Sequence, residues 1–340
     1  MMNRNWSRIF LVIVVTFLSN FAQGQDLHFS QFYNSPLTTN PANTGFIPDA
    51  GYRLGVNYRT QYSNIMQVPY KTFSAFADAK FMEDRLENGW LGLGLVMLGD
   101  EAGSGTLKST KIYGSVAYHQ LLGYSSLLSA GFNLGFAQKR IDPSRLKFPD
   151  QFDGKFFDAN RTTTVQLTNT STNYFDLQAG LNYAYFPTDD IYINAGYSAQ
   201  HVNRPNETFF DDKTNNSIVP VRHIAFANAI LKVSDRVIIN PNIYYSNQVG
   251  ASELAGGMRA NYNLSEAGET QFVAGLYYRH KESIIPVAGF VAKRLEFTFS
   301  YDVTTSSLNS FNNGKGAFEF SLIKKGDYSN SDSKTLCPKF

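Results

Sequence analysis

A Ser/His/acid hydrolase needs a hydroxyl, an imidazole and a carboxylate held in series, and Ser115, His119 and Asp78 supply the three types. Their spacing does not specify that constellation, and the other histidines, His28, His201, His223 and His280, are scattered along the chain. Gly89, Gly92, Gly94 and Gly99 surround a Leu-rich run in the manner of a phosphate-cradling loop. No helical pattern follows them to supply the dipole such a loop needs, so they read as strand glycines beside close-packed neighbours. The single cysteine, Cys337, excludes an internal disulfide, and no Cys/His cluster has zinc spacing. The expectation is a non-enzymatic protein with no metal and no cofactor. The charges suggest a different use. Arg59, Asp78, Arg279, Asp302 and Glu319, with Arg53, Lys80, Asp176, Arg259 and Glu296, alternate with apolar neighbours. Burying any of them unpaired costs several kcal/mol, so the first five are the candidates for a paired interior network.

The elements that must position these residues are strands. Aromatic residues make up 15% of the chain, with 28 Phe and 20 Tyr, and charged residues only 17%; Phe, Tyr and the 26 glycines are weak helix formers. Period-two alternation is long and repeated. Leu128, Ala130, Phe132, Leu134 and Phe136 alternate with Ser129, Gly131, Asn133 and Gly135. The stretches Phe175 to Tyr185 and Leu295 to Val303 follow the same rule, with charges such as Asp176 and Asp302 among the polar partners. After residue 24 no apolar stretch approaches the roughly 20 residues of a spanning helix. A membrane protein of this composition therefore has to close its sheet, because every backbone polar group must be satisfied within lipid.

The pattern predicts fourteen strands, near 52–59, 70–81, 90–99, 110–120, 126–138, 173–186, 190–201, 221–233, 236–246, 256–264, 271–280, 283–292, 294–303 and 315–324. Asn228 and Pro286 interrupt two of them. The fold expected is all-β, a transmembrane antiparallel barrel of about 14 strands with a plug-like N-terminal arm. Long connections, 139–172 and 202–220 above all, fall at one end, and short turns such as 121–125 and 187–189 at the other. Tyrosines near strand ends, among them Tyr183, Tyr185, Tyr244 and Tyr245, suit interfacial girdles.

Four segments follow. Residues 1–24 have a positive start at Arg4 and Arg8, an apolar stretch from Ile9 to Leu18 and small residues at Ala22 to Gly24, the form of a cleaved signal peptide. Removing them leaves 28 basic against 28 acidic residues, so nothing attracts nucleic acid. Residues 25–50 hold Pro36, Pro41 and Pro48 without alternation and form the arm, whose candidate contact residues are Phe29, Gln31, Phe32, Asn40 and Pro41. The barrel occupies 51–325. The polar stretch 326–340 is the expected periplasmic tail.

The start of the mature chain, QDLHFSQFYNSPLTTNPANTGF, resembles the amino-terminal signature of the PorP/SprF family of Bacteroidetes outer-membrane proteins, although the first Asn-Pro is split as Asn34-Ser35-Pro36. Further similarities are NYRTQY at Asn57 to Tyr62, where the family usually has Trp in place of Tyr62, FPDQF at Phe148 to Phe152, YYRHKESIIPVAGF at 277–290, FSYDVTTSSL at 299–308, Phe318 to Leu322 and the terminal CPKF. The resemblance implies an outer-membrane role in type IX secretion, helping to secrete or anchor a surface protein, in some members an adhesin used for gliding motility. It implies as partners a secreted protein with a C-terminal secretion domain, other secretion components and the lipid bilayer. The outer loops, especially 139–172 and 202–220, are expected to hold the secreted protein, the arm to fold into or under the lumen, and arm and tail to contact periplasmic machinery. An alternative resemblance, to FadL-type transporters of hydrophobic small molecules, rests on Asn40-Pro41-Ala42.

Overall fold

A computed structural model describes residues 27–328 apart from 84, 104–106, 144–145, 147, 159, 165–168, 210–216 and 266–267. The expected signal peptide and the tail from 329 onward lie outside the described residues. Fourteen antiparallel strands close into one barrel. They are β1 (Tyr52–Gln61), β2 (Tyr70–Phe81), β3 (Gly89–Ala102), β4 (Leu107–Leu121), β5 (Ser126–Arg140), β6 (Ser171–Thr188), β7 (Ile191–Gln200), β8 (Arg222–Ser234), β9 (Val237–Gln248), β10 (Ala251–Asn263), β11 (Thr270–Arg279), β12 (Ser283–Ala292), β13 (Leu295–Thr304) and β14 (Lys315–Gly326). Each pairs with its sequence neighbours, and β14 closes on β1 from Tyr52↔Gly326 to Gln61↔Ala317. No helix among the described residues is long and apolar enough to cross a membrane; the strands do so instead.

Alternation decides which side chains meet lipid. Along β5, Leu128, Phe132, Leu134 and Phe136 point outward and are exposed, while Ser129 and Asn133 point inward and are buried. A one-residue slip would exchange the two sets, so register is strongly specified. Pro286 is accommodated by a gap: the β12–β13 pairing passes from Ile284↔Val303 to Val287↔Ser300, sparing a ladder bond that proline has no N–H to make.

The two barrel ends differ. Residues 62–69, 141–170, 201–221 and 305–314 connect strands at one end, where the β3–β4, β9–β10 and β11–β12 links are shorter; the other end has brief turns such as 122–125, 189–190 and 235–236. At the long-loop end β6 outgrows β7, since their pairing begins only at Ala179↔Ala199. The Val202 N–H bonds the Leu177 carbonyl at 2.9 Å. Above it the Asn203 side chain stands in for a strand residue, donating to the Phe175 carbonyl at 2.7 Å and accepting from the Leu177 N–H at 3.1 Å. The wall from β3 to β6 is thus taller than the rest of the rim.

Candidate functional site: the arm inside the barrel

The arm is irregular. It contains short 3-10 turns at Phe32–Asn34 and Pro41–Asn43 and one helical turn at Pro36–Thr39. Such a segment leaves backbone groups without ladder partners, and buried ones have to be satisfied by side chains or water. It runs down the barrel axis. At the long-loop end Arg222, the first residue of β8, donates to the Leu27 carbonyl at 2.9 Å. At the short-turn end Lys325 pairs with Asp49 at 3.1 Å. Between them most residues from Phe29 to Ile47 are buried, the burial of a plug inside the lumen, and only its last few residues reach the short-turn mouth.

The inward polar side chains of the wall are the missing partners. Asn57 donates to the Asn34 carbonyl at 3.2 Å, Asn133 to that of Leu37 at 3.2 Å, Gln200 to that of Thr38 at 2.7 Å and Ser198 to that of Thr39 at 2.7 Å. Lower down, Trp90 Nε1 donates to the Gly45 carbonyl at 2.9 Å, and the Gly45 N–H donates to Asp78 at 2.8 Å. The inward polar half of the alternation is here a receptor for the arm.

Apolar contacts form three layers. Phe29 and Leu37 pack with Phe76, Val96, Leu98 and Tyr113. Phe32 packs with Ile224, Tyr244, Tyr277 and Ile285. Phe46 packs with Trp90, Leu127, Phe186 and Tyr192. Each buried arm side chain contributes about 1.5–3 kcal/mol. Close approach of the two backbones requires glycine at two wall positions. A Cβ on Gly131 would overlap the Pro41 carbonyl, and one on Gly92 the Thr44 carbonyl. Asn40 caps the turn at Pro41–Asn43 by accepting from the Ala42 N–H at 2.9 Å, and it donates to the Leu181 carbonyl of the wall at 2.8 Å.

Four of the five candidate network residues meet. Arg59 donates to Asp302 at 2.9 Å and to Glu319 at 3.2 Å. Arg279 pairs with Asp302 at 3.1 Å and with Glu253 at 2.9 Å. The network is centred on the arm. Glu319 accepts the Ser30 N–H at 2.7 Å and the Gln31 N–H at 2.8 Å, and Arg279 donates to the Ser30 hydroxyl at 2.7 Å. Asp78 stands apart near the short-turn end, where Arg53 holds it at 3.0 and 2.8 Å. A carboxylate serves whichever cation its strand height supplies, and alternation shows facing but not height.

The hydrolase constellation does not assemble. Both ring nitrogens of His119 are engaged, Nδ1 with Ser129 at 2.7 Å and Nε2 with the Thr44 carbonyl at 2.8 Å. Ser115 bonds Asn133 at 2.5 Å and also contacts Thr44, and Asp78 is bound to Arg53 and Gly45. Sequence reasoning missed Ser30, whose hydroxyl donates to both oxygens of Asp302 at 2.9 and 2.8 Å, and the buried His201–Asp176 pair at 2.8 Å. Nothing in the local pattern marks a serine in an irregular segment as a network hub.

An arm joined to the wall along its whole path makes the lumen a seat rather than an open duct. Residues 21–323 match the family described as type IX secretion system membrane protein PorP/SprF. The chain belongs to the PorP/SprF family. A search of curated proteins found no match. Among solved structures the PorP/SprF chain is similar in fold to the P. putida toluene transporter TodX, with TM-score 0.51 at 12% identity, covering 87% of this chain and 94% of that one. It is also similar to a Pseudomonas aeruginosa FadL homologue, with TM-score 0.51 at 10% identity and 86% and 94% coverage, and to the Ralstonia pickettii toluene transporter TbuX, with TM-score 0.50 at 12% identity and 86% and 94% coverage. These likenesses concern the barrel architecture alone. A closed fourteen-stranded barrel in a type IX secretion membrane family fits the outer membrane.

Proposed function

We propose that this protein is a non-catalytic outer-membrane component of type IX secretion that anchors or helps to release one class of secreted surface protein, holding it with the long loops outside the cell. The long-loop end then faces the exterior and the short-turn end the periplasm, as in bacterial barrels generally. The observation that carries this reading is the family match over residues 21–323 on a barrel whose axis is filled by its own arm. A blocked lumen leaves the loops and the rim as the working surfaces. The arm is a fixed plug in this reading, and periplasmic contacts fall to the short turns and the tail. Where the secreted partner is an adhesin, gliding motility would depend on the same anchoring.

Deleting the gene and quantifying surface-exposed secreted proteins by protease shaving tests it. The expected result is loss of display of one substrate class while general secretion continues. Unchanged display overturns the proposal. The FadL-type reading finds support in the barrel likeness, yet the path a hydrocarbon would take is occupied by the charged cluster of Arg59, Arg279, Asp302 and Glu319. Desolvating such groups against an apolar cargo is unfavourable.

A further inference from the structure

The lipid-facing wall is not the same all round the barrel. Near the long-loop end, strand pairing sets Lys71 of β2, Glu101 of β3, Lys108 of β4 and Arg140 of β5 in one row across the sheet, through Lys71↔Glu101, Glu101↔Lys108 and Lys108↔Arg140. Alternation points all four outward, in step with the lipid-facing Phe73, Met97, Ile112 and Phe136. Glu101 reaches only Lys108, at 4.0 Å, and among the described residues no carboxylate pairs with Lys71 or Arg140. The row therefore carries an excess of positive charge. From β6 round to β13 the outward strand residue nearest the same end, among the described residues, is never Lys, Arg, Asp or Glu, as with Ser171, Ala199, Asn247 and Ile284. The cations are confined to one arc.

Below that arc the wall is hollowed. A groove of about 500 Å³ opens on the lipid face, with Ala75 and Ala77 of β2 lying between Leu54 and Val56 of β1 and Leu95 and Met97 of β3. Its size is within the range of roughly 300–1,000 Å³ typical of ligand sites. The next row towards the cations is Phe73, Gly99 and Thr110. A Cβ on Gly99 would meet nothing within 4 Å, so the way up to Lys108 is clear. At the opposite end of the groove Lys324 is occupied, donating to the Lys293 carbonyl at 2.9 Å. From Lys71 down to Ala77 the strand rises about 20 Å. At a tilt of about 40° this covers about 15 Å along the membrane normal, half of the hydrocarbon core.

Dimensions and charge together select the occupant. An apolar groove one leaflet deep takes an acyl chain. The unmatched cations at its headgroup end take phosphate, which Arg binds bidentately and Lys as a point charge. A zwitterionic headgroup would bring a cation of its own against them, and an apolar protein segment would fill the groove while leaving them unmatched. We propose that the outer face of β1–β5 is a binding site for a phosphorylated lipid of the leaflet at the long-loop end. Its phosphate lies against the neighbouring Lys108 and Arg140, Lys71 closes the headgroup on the far side, and an acyl chain fills the groove. The site is independent of the anchoring reading above.

Native mass spectrometry of the full-length protein tests it, in mixed micelles holding equal amounts of dimyristoyl phosphatidic acid and dimyristoyl phosphatidylcholine. The expected result is phosphatidic acid retained on the barrel in about tenfold excess, the scale of a contact or two between cations and anionic lipid. Lys71→Gln, Lys108→Gln and Arg140→Gln together should abolish the preference, and Glu101→Gln should strengthen it. Ala77→Phe fills the groove without touching a charge and should cut bound phosphatidic acid by about tenfold, with the heat-modifiable gel shift reporting a folded barrel. Equal retention of the two lipids, a preference that survives the triple substitution, or displacement of the lipid by glycerol 3-phosphate alone overturns the proposal, as does a copurifying protein that excludes lipid from this face. Should Ala77→Phe not fold, the triple substitution of exposed side chains decides.

Discussion

Arg59 Nη2 donates to Asp302 Oδ2 at 2.9 Å across 243 residues of sequence, and β14 lies between their strands. Both side chains are almost wholly buried, at 2% and 4% exposure, so neither charge has water to fall back on. The Ser30 hydroxyl donates to the same carboxylate, which ties the arm to the barrel's closing seam.

Arg59→Ala should therefore be severe. Removing one partner of a buried pair leaves the other uncompensated, at about 3–5 kcal/mol. Urea titration of the barrel in nanodiscs, followed by tryptophan fluorescence, should show the midpoint drop accordingly. A loss under about 1 kcal/mol, typical of a surface pair, would mean the network is hydrated.

The arm's seat can be attacked from the wall. Gly92→Val puts a branched side chain where the Thr44 carbonyl lies. Overpacking costs about 1–3 kcal/mol, and displacing the arm relieves it without breaking any strand pair. The expected phenotype is a folded barrel with raised conductance in planar bilayers and an arm newly open to protease.

Phe46 anchors the lower layer among Trp90, Leu127 and Tyr192 and stacks near His119. Phe46→Ala should cost about 3–5 kcal/mol, the usual price of a deleted core aromatic. Phe46→Leu should recover most of it, and denaturant midpoints of the two variants measure the difference.

Loop 141–170 carries a pH-sensitive tie. Asp150 accepts from the Thr164 N–H at 2.6 Å and from the Thr164 and Thr163 hydroxyls at 2.9 and 3.0 Å. These bonds, the backbone one foremost, hold its pKa below the ordinary carboxylate value. A depressed folded pKa stabilises above the unfolded value near 3.9 and is lost as pH falls through the folded one. Protease nicking of this loop should rise as pH drops below about 4. Asp150→Asn should nick faster than the parent above that window and rise less across it, the remaining rise coming from Asp153, which the Phe156 and Lys155 N–H groups hold low in the same loop.

The barrel was legible in the sequence because its cause is local. A strand in lipid must alternate, and each of the fourteen expected segments, such as 126–138, overlaps an observed strand, here Ser126–Arg140. Even the weaker segments around Asn228 and Pro286 form strands, the latter through a gap in the ladder on one side only. The inward facing of Arg59, Asp302 and Glu319 followed from the same period of two. What local pattern does not encode is height along the axis and the path of an irregular segment. Asp78 and Asp302 look equivalent in alternation, yet one meets Arg53 near the short turns and the other Arg59 near the long loops. The arm's descent and the service of Asn133 and Ser198 to its carbonyls arise from contacts across 96 residues and more. Only closure of the sheet brings those groups together, because strand pairing sets which residues stand at one level and the glycines of the wall set how closely the arm can approach.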